Sequence, residues 1–171
     1  LHRMPSQVRT LCLEFFGSDL AQAVPAIVEV KDYLQSKAGV QLAGLEHMDE
    51  RYVKAVKYAT KSSRRETPKM VLLADLVSDD EAQVTDAAEQ VARLARARDA
   101  EVFVAASPEA RRRFWLDRSR TAAISAHTNA FKVNEDVVIP LERLADYNRG
   151  IERINIEYSI RNKLDIMAGV L

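Results

Sequence analysis

The run at 70–77 constrains the fold more strongly than any other part of this sequence. It reads Met-Val-Leu-Leu-Ala-Asp-Leu-Val, in which Asp75 is the single charged residue. An almost continuous apolar run of this length is typical of a strand that is buried on both faces of a sheet. The sequence therefore predicts a β-sheet with this segment in a central position.

Other strands and helices are predicted to alternate around this run. Apolar or alternating segments bounded by turn residues predict three further strands, at 8–16, 40–46 and 101–106. Apolar residues at helical spacing predict helices at 19–37, 49–61 and 108–126. A short strand at 137–139 and a last long helix from Pro140 follow. The order predicts an α+β fold: a ferredoxin-like antiparallel sheet with helices packed on one face, extended by a C-terminal helical segment.

Two helix starts carry capping signals. Ser78 and Glu81 have the spacing of a capping box, in which a hydroxyl and a carboxylate satisfy free backbone amides. They predict a helix that runs to about Arg98, and its core face is marked by Val84, Ala88, Val91 and Ala95. Ser107 and Pro108 predict another helix start, by an N-cap hydroxyl and a first-turn proline.

The charge balance excludes several classes of partner. Lys plus Arg and Asp plus Glu both number 25, so the net charge is zero. A nucleic-acid binder or an acidic-membrane binder normally needs a basic surface, and neither is predicted. The sequence also lacks a stretch of the roughly 18 apolar residues that a membrane span requires. We expect no nucleic-acid partner and no transmembrane segment.

The cysteine and histidine content excludes the common metal sites. Cys12 is the only cysteine, so neither an internal disulfide nor a cysteine-based zinc site can form. It lies in an apolar run and is expected to be a buried thiol in a reducing, cytoplasmic location. The three histidines are scattered, and no metal site is predicted. The glycines are isolated, so this chain is expected to lack a phosphate-binding loop and to bind no cofactor itself.

Three segments, in order along the chain, carry a resemblance to a known family. They are Leu45-Glu46-His47-Met48-Asp49, Phe114-Trp115-Leu116-Asp117-Arg118 and Lys132-Val133-Asn134-Glu135-Asp136-Val137-Val138-Ile139-Pro140. The sequence resembles the FAD-linked oxidase C-terminal region of the vanillyl-alcohol oxidase and D-lactate dehydrogenase type. The first of these segments is similar to a segment that forms a turn before a helix in the family. The third match is the most specific.

The resemblance implies a substrate-binding cap domain of an FAD-dependent oxidoreductase that oxidises a 2-hydroxy acid such as D-lactate. FAD would belong to the full-length protein, on its own flavin-binding domain, with which this chain would pack. The chain lacks an initiator Met and stops in an apolar run, so we expect residues 1–171 to be one domain of a longer polypeptide. Alone, it is expected to be inactive. Peripheral contact of the full-length enzyme with the inner membrane, and a homodimer, are left open.

The resemblance also implies the site residues. Arg118 would bind the substrate carboxylate through its planar fork, and Trp115 and Ala122 share its helix face. Lys132 would supply a second cation, and His127 lies between the two in sequence. Other interpretations stay open: Arg118 pairing with a local carboxylate, Lys132 exposed to solvent, and His127 on the surface or in packing. No catalytic residue is expected in this chain, because the flavin carries the hydride chemistry.

Two interpretations from other classes compete with the cap. A stand-alone ferredoxin-like module would bind a small ligand or dimerise through its sheet. This alternative explains the fold. It does not explain why Arg118, Lys132 and the segment at 132–140 occur together. An RNA-binding domain would need exposed aromatic side chains on its sheet, surrounded by basic residues. The strand with Val102 and Val104 has one aromatic residue, Phe103, and the strand at 70–77 has none.

The cap interpretation predicts a colourless purified chain, because no flavin is bound. Isothermal titration of the lone chain with D-lactate and with 2-hydroxyglutarate should give no micromolar affinity, since the flavin-bearing half of the site is missing. Micromolar binding of either acid would favour the stand-alone ligand-binding module.

Overall fold

The computed structural model describes residues 3–17, 20–119 and 139–169. Backbone contacts divide the chain into two compact units, Leu1–Asn134 and Glu135–Leu171. The prediction of a single domain over 1–171 stays a prediction.

The first unit contains four strands and four helices in the described residues. In chain order they are β1 (Gln7–Phe15), α1 (Leu20–Ser36), β2 (Gln41–Asp49), α2 (Glu50–Ala55), β3 (Met70–Ser78), α3 (Glu81–Arg96), β4 (Ala100–Ala105) and α4 (Pro108–Ser119). The strands form one sheet in the order β2-β3-β1-β4, and every neighbouring pair is antiparallel. The predicted α+β, ferredoxin-like fold is confirmed.

The central place of β3 follows from its apolar sequence. It pairs with β1 on one side and β2 on the other, and all of its residues except Asp75 are buried. A strand with neighbours on both sides and covered faces leaves no room for solvated side chains, so a nearly continuous apolar run is stable only there. The sequence prediction of a central strand is confirmed.

One face of the sheet is covered by α1 and α3, which contact each other. The core face of α3 is the predicted one: Val84, Ala88, Val91 and Ala95 are all buried. Since helical residues three and four apart share a face, a single apolar stripe packs the whole helix onto β1, β3 and β4.

The opposite face of the sheet is also covered, which the sequence did not predict. Tyr52, Tyr58, Phe103, Phe114 and Trp115 pack against a buried cluster that the strands and α2 contribute, consisting of Cys12, Met48, Val53, Val71 and Leu73. The predicted burial of the Cys12 thiol is confirmed. These aromatic contacts place α2 and α4 on this second face.

A buried carboxylate anchors the loop after α2 to the second face. Glu14 of β1 is fully buried. Its Oε1 accepts hydrogen bonds from the Tyr58 hydroxyl at 2.7 Å and the Lys61 backbone N–H at 2.8 Å. Its Oε2 accepts from the Thr60 hydroxyl at 2.7 Å and the Ser62 backbone N–H at 3.0 Å. Four donors therefore offset the loss of hydration that burial of this charge would cost.

This anchor explains why the helix predicted at 49–61 is wrong beyond its first turns. The helix α2 ends at Ala55, and Lys57 has a φ of 51°, a left-handed conformation that a continuing helix excludes. The chain leaves the helix at this point because Tyr58 and the residues after it bond to Glu14. Sequence periodicity cannot detect this competition, since the partner lies in another strand.

The segment at 45–49 is strand throughout, whereas the predicted strand ended at 46 and the family resemblance implied a turn before a helix here. Pairing of β2 with β3 continues to Asp49, which lies opposite Met70. Asp49 then caps α2, because its carboxylate accepts a hydrogen bond from the Tyr52 backbone N–H at 2.7 Å. Continued ladder hydrogen bonding therefore extends the strand beyond the predicted end at 46.

The capping box at Ser78 is a second correction. The N-cap of α3 is Asp80, whose carboxylate accepts from the backbone N–H groups of Ala82 and Gln83. Ser78 instead donates its hydroxyl to the Gly39 carbonyl at 2.6 Å. The N-cap predicted at Ser107 is confirmed, because its hydroxyl accepts from the Ala110 N–H at 3.2 Å.

The second unit contains a 3-10 turn at Leu141–Arg143 and a long helix, α5 (Leu144–Ala168). The last long helix predicted after Pro140 is confirmed, and it continues through Gly150. Two other predictions fall partly outside the described residues, namely the strand at 137–139 in its first two positions and the helix at 108–126 in its positions after 119. Among the helices that the structure describes, none is both long enough and apolar enough to span a membrane.

The Glu14 anchor yields a stability prediction. Glu14→Gln keeps the size of the side chain but replaces one carboxylate oxygen by an amide NH₂, so two of the four donors lose their acceptor. We expect the free energy of unfolding to fall by about 2–3 kcal/mol, measured by urea titration. Glu66→Gln, at an exposed loop position, is the matched control and should stay near wild type. An equal loss in both variants would contradict the anchor.

Candidate functional site

Arg118 lies in the last turn of α4, on the second face of the sheet. The helix is fixed there because Phe114 and Trp115 pack against the buried cluster that contains Cys12 and Leu73. Arg118 follows Trp115 by three residues, so both extend from the same side of the helix. Ala122, which was predicted to share this side, lies outside the described residues.

The Arg118 guanidinium forms an ion pair with Glu46 of β2. The distance from Nε of Arg118 to Oε2 of Glu46 is 2.9 Å, and the two side chains are 37% and 40% exposed. The hydrogen bond that Arg118 donates to Glu46 raises the pKa of the guanidinium above its ordinary value, burial acts in the opposite direction, and the charge of Glu46 and a side-chain hydrogen bond with Tyr52 add to the increase. Arg118 is therefore permanently cationic.

The backbone of Arg118 is held by a second contact. The Tyr52 hydroxyl donates a hydrogen bond to the Arg118 carbonyl oxygen at 2.9 Å. Tyr52 belongs to α2, and Asp49 at the start of α2 fixes its position. Strand β2 and helix α2 thus restrain the side chain and the backbone of Arg118 respectively.

The sequence named Arg118 but assigned no role to Glu46 or Tyr52. The alternative in which Arg118 pairs with a local carboxylate is right about the type of partner but not about its place, because Glu46 is 72 positions away along the chain. Glu46 and Asp49 lie in the first of the three family-like segments, and Arg118 ends the second. Their shared membership in these segments was the one available signal that they meet in space.

The other predicted site residues, Lys132 and His127, lie outside the described residues. Their convergence with Arg118 on one anion stays a prediction. Among the described residues, no group of three or more His, Cys, Asp or Glu side chains could hold a metal ion.

His47, the neighbour of Glu46, faces the opposite side of β2 because side chains alternate along a strand. Its Nε2 atom is buried and, within the described part of the chain, has no hydrogen-bond partner. Burial lowers the pKa of the imidazole, and the nearby Asp49 carboxylate opposes this only partly. His47 is therefore a neutral packing residue and is separated from Arg118 by the strand.

A second arginine–glutamate pair lies on the same face of the sheet. Arg64 donates from Nε to Oε1 of Glu101 at 2.8 Å, with side chains 36% and 32% exposed. Arg64 also pairs with Asp99 at 2.9 Å, and its guanidinium lies 4.6 Å from the centre of the Phe16 ring. In the part of the chain that the structure describes, two carboxylates therefore pair with Arg64, and one, Glu46, pairs with Arg118.

A cavity of about 430 Å³ lies beside α3 and β4, and Arg9, Arg93 and Val104 contribute to its lining. Arg9 is paired with Glu81 at 2.8 Å, and Arg93 donates to the side-chain oxygen of Gln90. Internal partners therefore use the Arg9 and Arg93 side chains, and Arg96 also lines the cavity.

Comparison with protein families gives one match. A model of the family described as FAD linked oxidases, C-terminal domain, matches residues 4–168. No curated protein sequence matches the chain.

Several solved structures share a limited likeness with the chain. The de novo designed protein Foldit4 is 13% identical, covers 58% of this chain and 93% of its own, and has a TM-score of 0.42. A structural genomics protein named YJCS is 13% identical over 59% of this chain and 95% of its own, with a TM-score of 0.36. A hydantoinase/carbamoylase family amidase from Burkholderia ambifaria is 15% identical over 61% and 28%, with a TM-score of 0.34. At these values the likeness says nothing about function.

The burial of His47 predicts a pH dependence of stability. Because its pKa is lowered in the folded state, the unfolded chain takes up a proton first as the pH falls through the ordinary value of 6.5. The free energy of unfolding should therefore be retained above pH 6.5 and decrease as the pH falls below it. Urea unfolding at pH 7.5 and 5.5 should show a smaller decrease for His47→Gln than for wild type. Equal decreases in the two proteins would show that His47 takes up its proton as readily in the folded chain as in the unfolded chain.

Proposed function

This chain belongs to the C-terminal domain family of the FAD-linked oxidases, and we propose that it binds and orients the substrate of a 2-hydroxy-acid oxidoreductase. Membership of the family makes it part of an FAD-linked oxidoreductase. The finer proposal is that the chain is a cap domain for a 2-hydroxy acid such as D-lactate. Arg118, Lys132 and His127 would bind this acid.

One observation carries the proposal: the guanidinium of Arg118 is held in a fixed orientation while the side chain stays partly exposed. The hydrogen bond to Glu46 uses Nε, the nitrogen nearest the side-chain stem. The terminal Nη1 and Nη2 groups form the edge of the planar fork that matches the two oxygens of a carboxylate. An anion can therefore bind at that edge without displacing Glu46.

Charge balance supports a second cation at the site. Arg118 and Glu46 together carry no net charge, so a bound monocarboxylate would leave one uncompensated negative charge at the partly buried surface. Lys132 would supply the missing positive charge. In this proposal, Arg118 sets the orientation of the carboxylate through two hydrogen bonds and Lys132 contributes as a point charge.

FAD would be held by a separate flavin-binding domain of the same enzyme. Gly44 lies in β2, Gly150 lies in α5, and Gly39 and Gly169 follow the ends of α1 and α5, so these four glycines do not form the loop that cradles a pyrophosphate. The flavin supplies the acceptor for hydride. The residues of this chain would bind the carboxylate, fix the direction of the substrate carbon and help to exclude water from the closed site.

The packing of α4 on the second face of the sheet also supports the cap proposal. The aromatic cluster of Phe114, Trp115 and Tyr58 makes α4 a rigid support, and rigid elements position binding groups better than loops do. A guanidinium at the end of such a helix keeps its place when a substrate enters and leaves.

Kinetics of the flavin-loaded full-length enzyme test the proposal. Arg118→Lys keeps the charge but loses the fork, so we expect kcat/KM for D-lactate or D-2-hydroxyglutarate to fall roughly 10- to 100-fold, and Arg118→Ala to lose more. Anaerobic stopped-flow measurement of flavin absorbance gives the rate of reduction directly. Lys132→Met should reduce the affinity for the same acid.

Arg64→Lys is the matched control, since Arg64 forms a similar half-exposed pair with a glutamate on the same sheet face. It should leave the kinetics with both acids near wild type. If Arg118→Ala reduced the flavin at the wild-type rate and with the wild-type KM, the carboxylate-binding role would be wrong.

A further inference from the structure

We infer that Glu46 is a positioning residue for the substrate carboxylate, acting through Arg118. This inference rests on the proposed function and deepens it, because it assigns a role to a residue that need not touch the substrate. The ion pair links the edge strand β2 to the last turn of α4, and both side chains are partly exposed at that point.

The geometry of the pair gives the first argument. A free arginine side chain samples many rotamers, and fixing it on substrate binding costs conformational entropy. The 2.9 Å hydrogen bond that Nε donates to Glu46 fixes the plane of the guanidinium before a ligand arrives. The group is thus preorganised, and the substrate does not have to order it.

The choice of nitrogen gives the second argument. A carboxylate can approach a guanidinium along the edge formed by Nε and one terminal nitrogen, or along the edge formed by both terminal nitrogens. Glu46 already uses Nε. A substrate carboxylate is therefore directed to the terminal edge, and Glu46 selects one of the two binding geometries.

The position of Glu46 gives the third argument. It lies opposite Leu73 in the ladder between β2 and β3, and Leu73 is fully buried in the cluster under α4. The backbone that carries Glu46 is thus part of the sheet. The Tyr52 hydroxyl restrains the Arg118 carbonyl at the same time. A carboxylate on a strand is a stiffer support than one on a loop.

Variants of the flavin-loaded enzyme, assayed with D-lactate or with D-2-hydroxyglutarate, whichever the wild type oxidises, separate positioning from competition. Glu46→Ala removes the acceptor for Nε and should raise KM for the acid roughly tenfold. Glu46→Gln loses the charge but keeps an oxygen acceptor for Nε, so its KM should lie much closer to wild type. If Glu46 merely competed with the substrate for Arg118, both variants would lower KM, and the inference would be overturned.

A substrate without a carboxylate gives a readout that a purely structural role would not produce. The methyl ester of the same acid cannot form the charged contact with Arg118, so Glu46→Ala should change its kcat/KM by less than about twofold. An equal loss for acid and ester would show a general distortion of the site. Glu101→Ala, in the similar pair with Arg64, is the matched control and should leave KM for the acid unchanged.

The double variant distinguishes failure of this inference from failure of the proposed function. In an Arg118→Ala background, Glu46→Ala should add no further increase in KM, because its effect passes through the guanidinium. If Arg118→Ala alone left KM unchanged, the proposed function would be wrong. If Arg118→Ala raised KM while Glu46→Ala did not, only the positioning role of Glu46 would be wrong.

Discussion

The two-sided pairing of β1 is the constraint on which the rest of the first unit depends. Leu11 and Leu13 face the layer of α1 and α3, and Cys12 and Glu14 face the layer of α2 and α4. A shift of one residue would exchange the faces, placing Glu14 among apolar side chains and leaving four donors without their carboxylate. The register is therefore fixed by apolar packing on one face and by a buried charge on the other.

The second face then contains two arginine–glutamate pairs that differ in their surroundings. Arg64 is neutralised by Glu101 and Asp99, and its guanidinium is stacked on an aromatic ring. A further anion there would meet two carboxylates. Within the described residues, Glu46 is the carboxylate that pairs with Arg118, through Nε. In the proposed function, the incoming anion therefore binds at Arg118 rather than at Arg64.

Much of the fold could be predicted, because strands and most helices are set by local patterns. The apolar run of β3, the stripe on α3 and the N-cap at Ser107 each specify a structure from neighbouring residues alone. Two of the errors share a cause. The short α2 and the extended β2 depend on partners in other strands, and no local period reports a hydrogen bond to Glu14 or a ladder that continues to Asp49.

The sequence by itself determined the architecture, the absence of a net charge and the family, because these depend on order, composition and motifs. It also marked Arg118 through its place in a family-like segment. Only the tertiary structure decided what Arg118 contacts, since Glu46 is 72 positions away and reaches it through strand pairing and helix packing. Local chemistry specifies which elements form, but the partner of a charged side chain depends on how those elements pack.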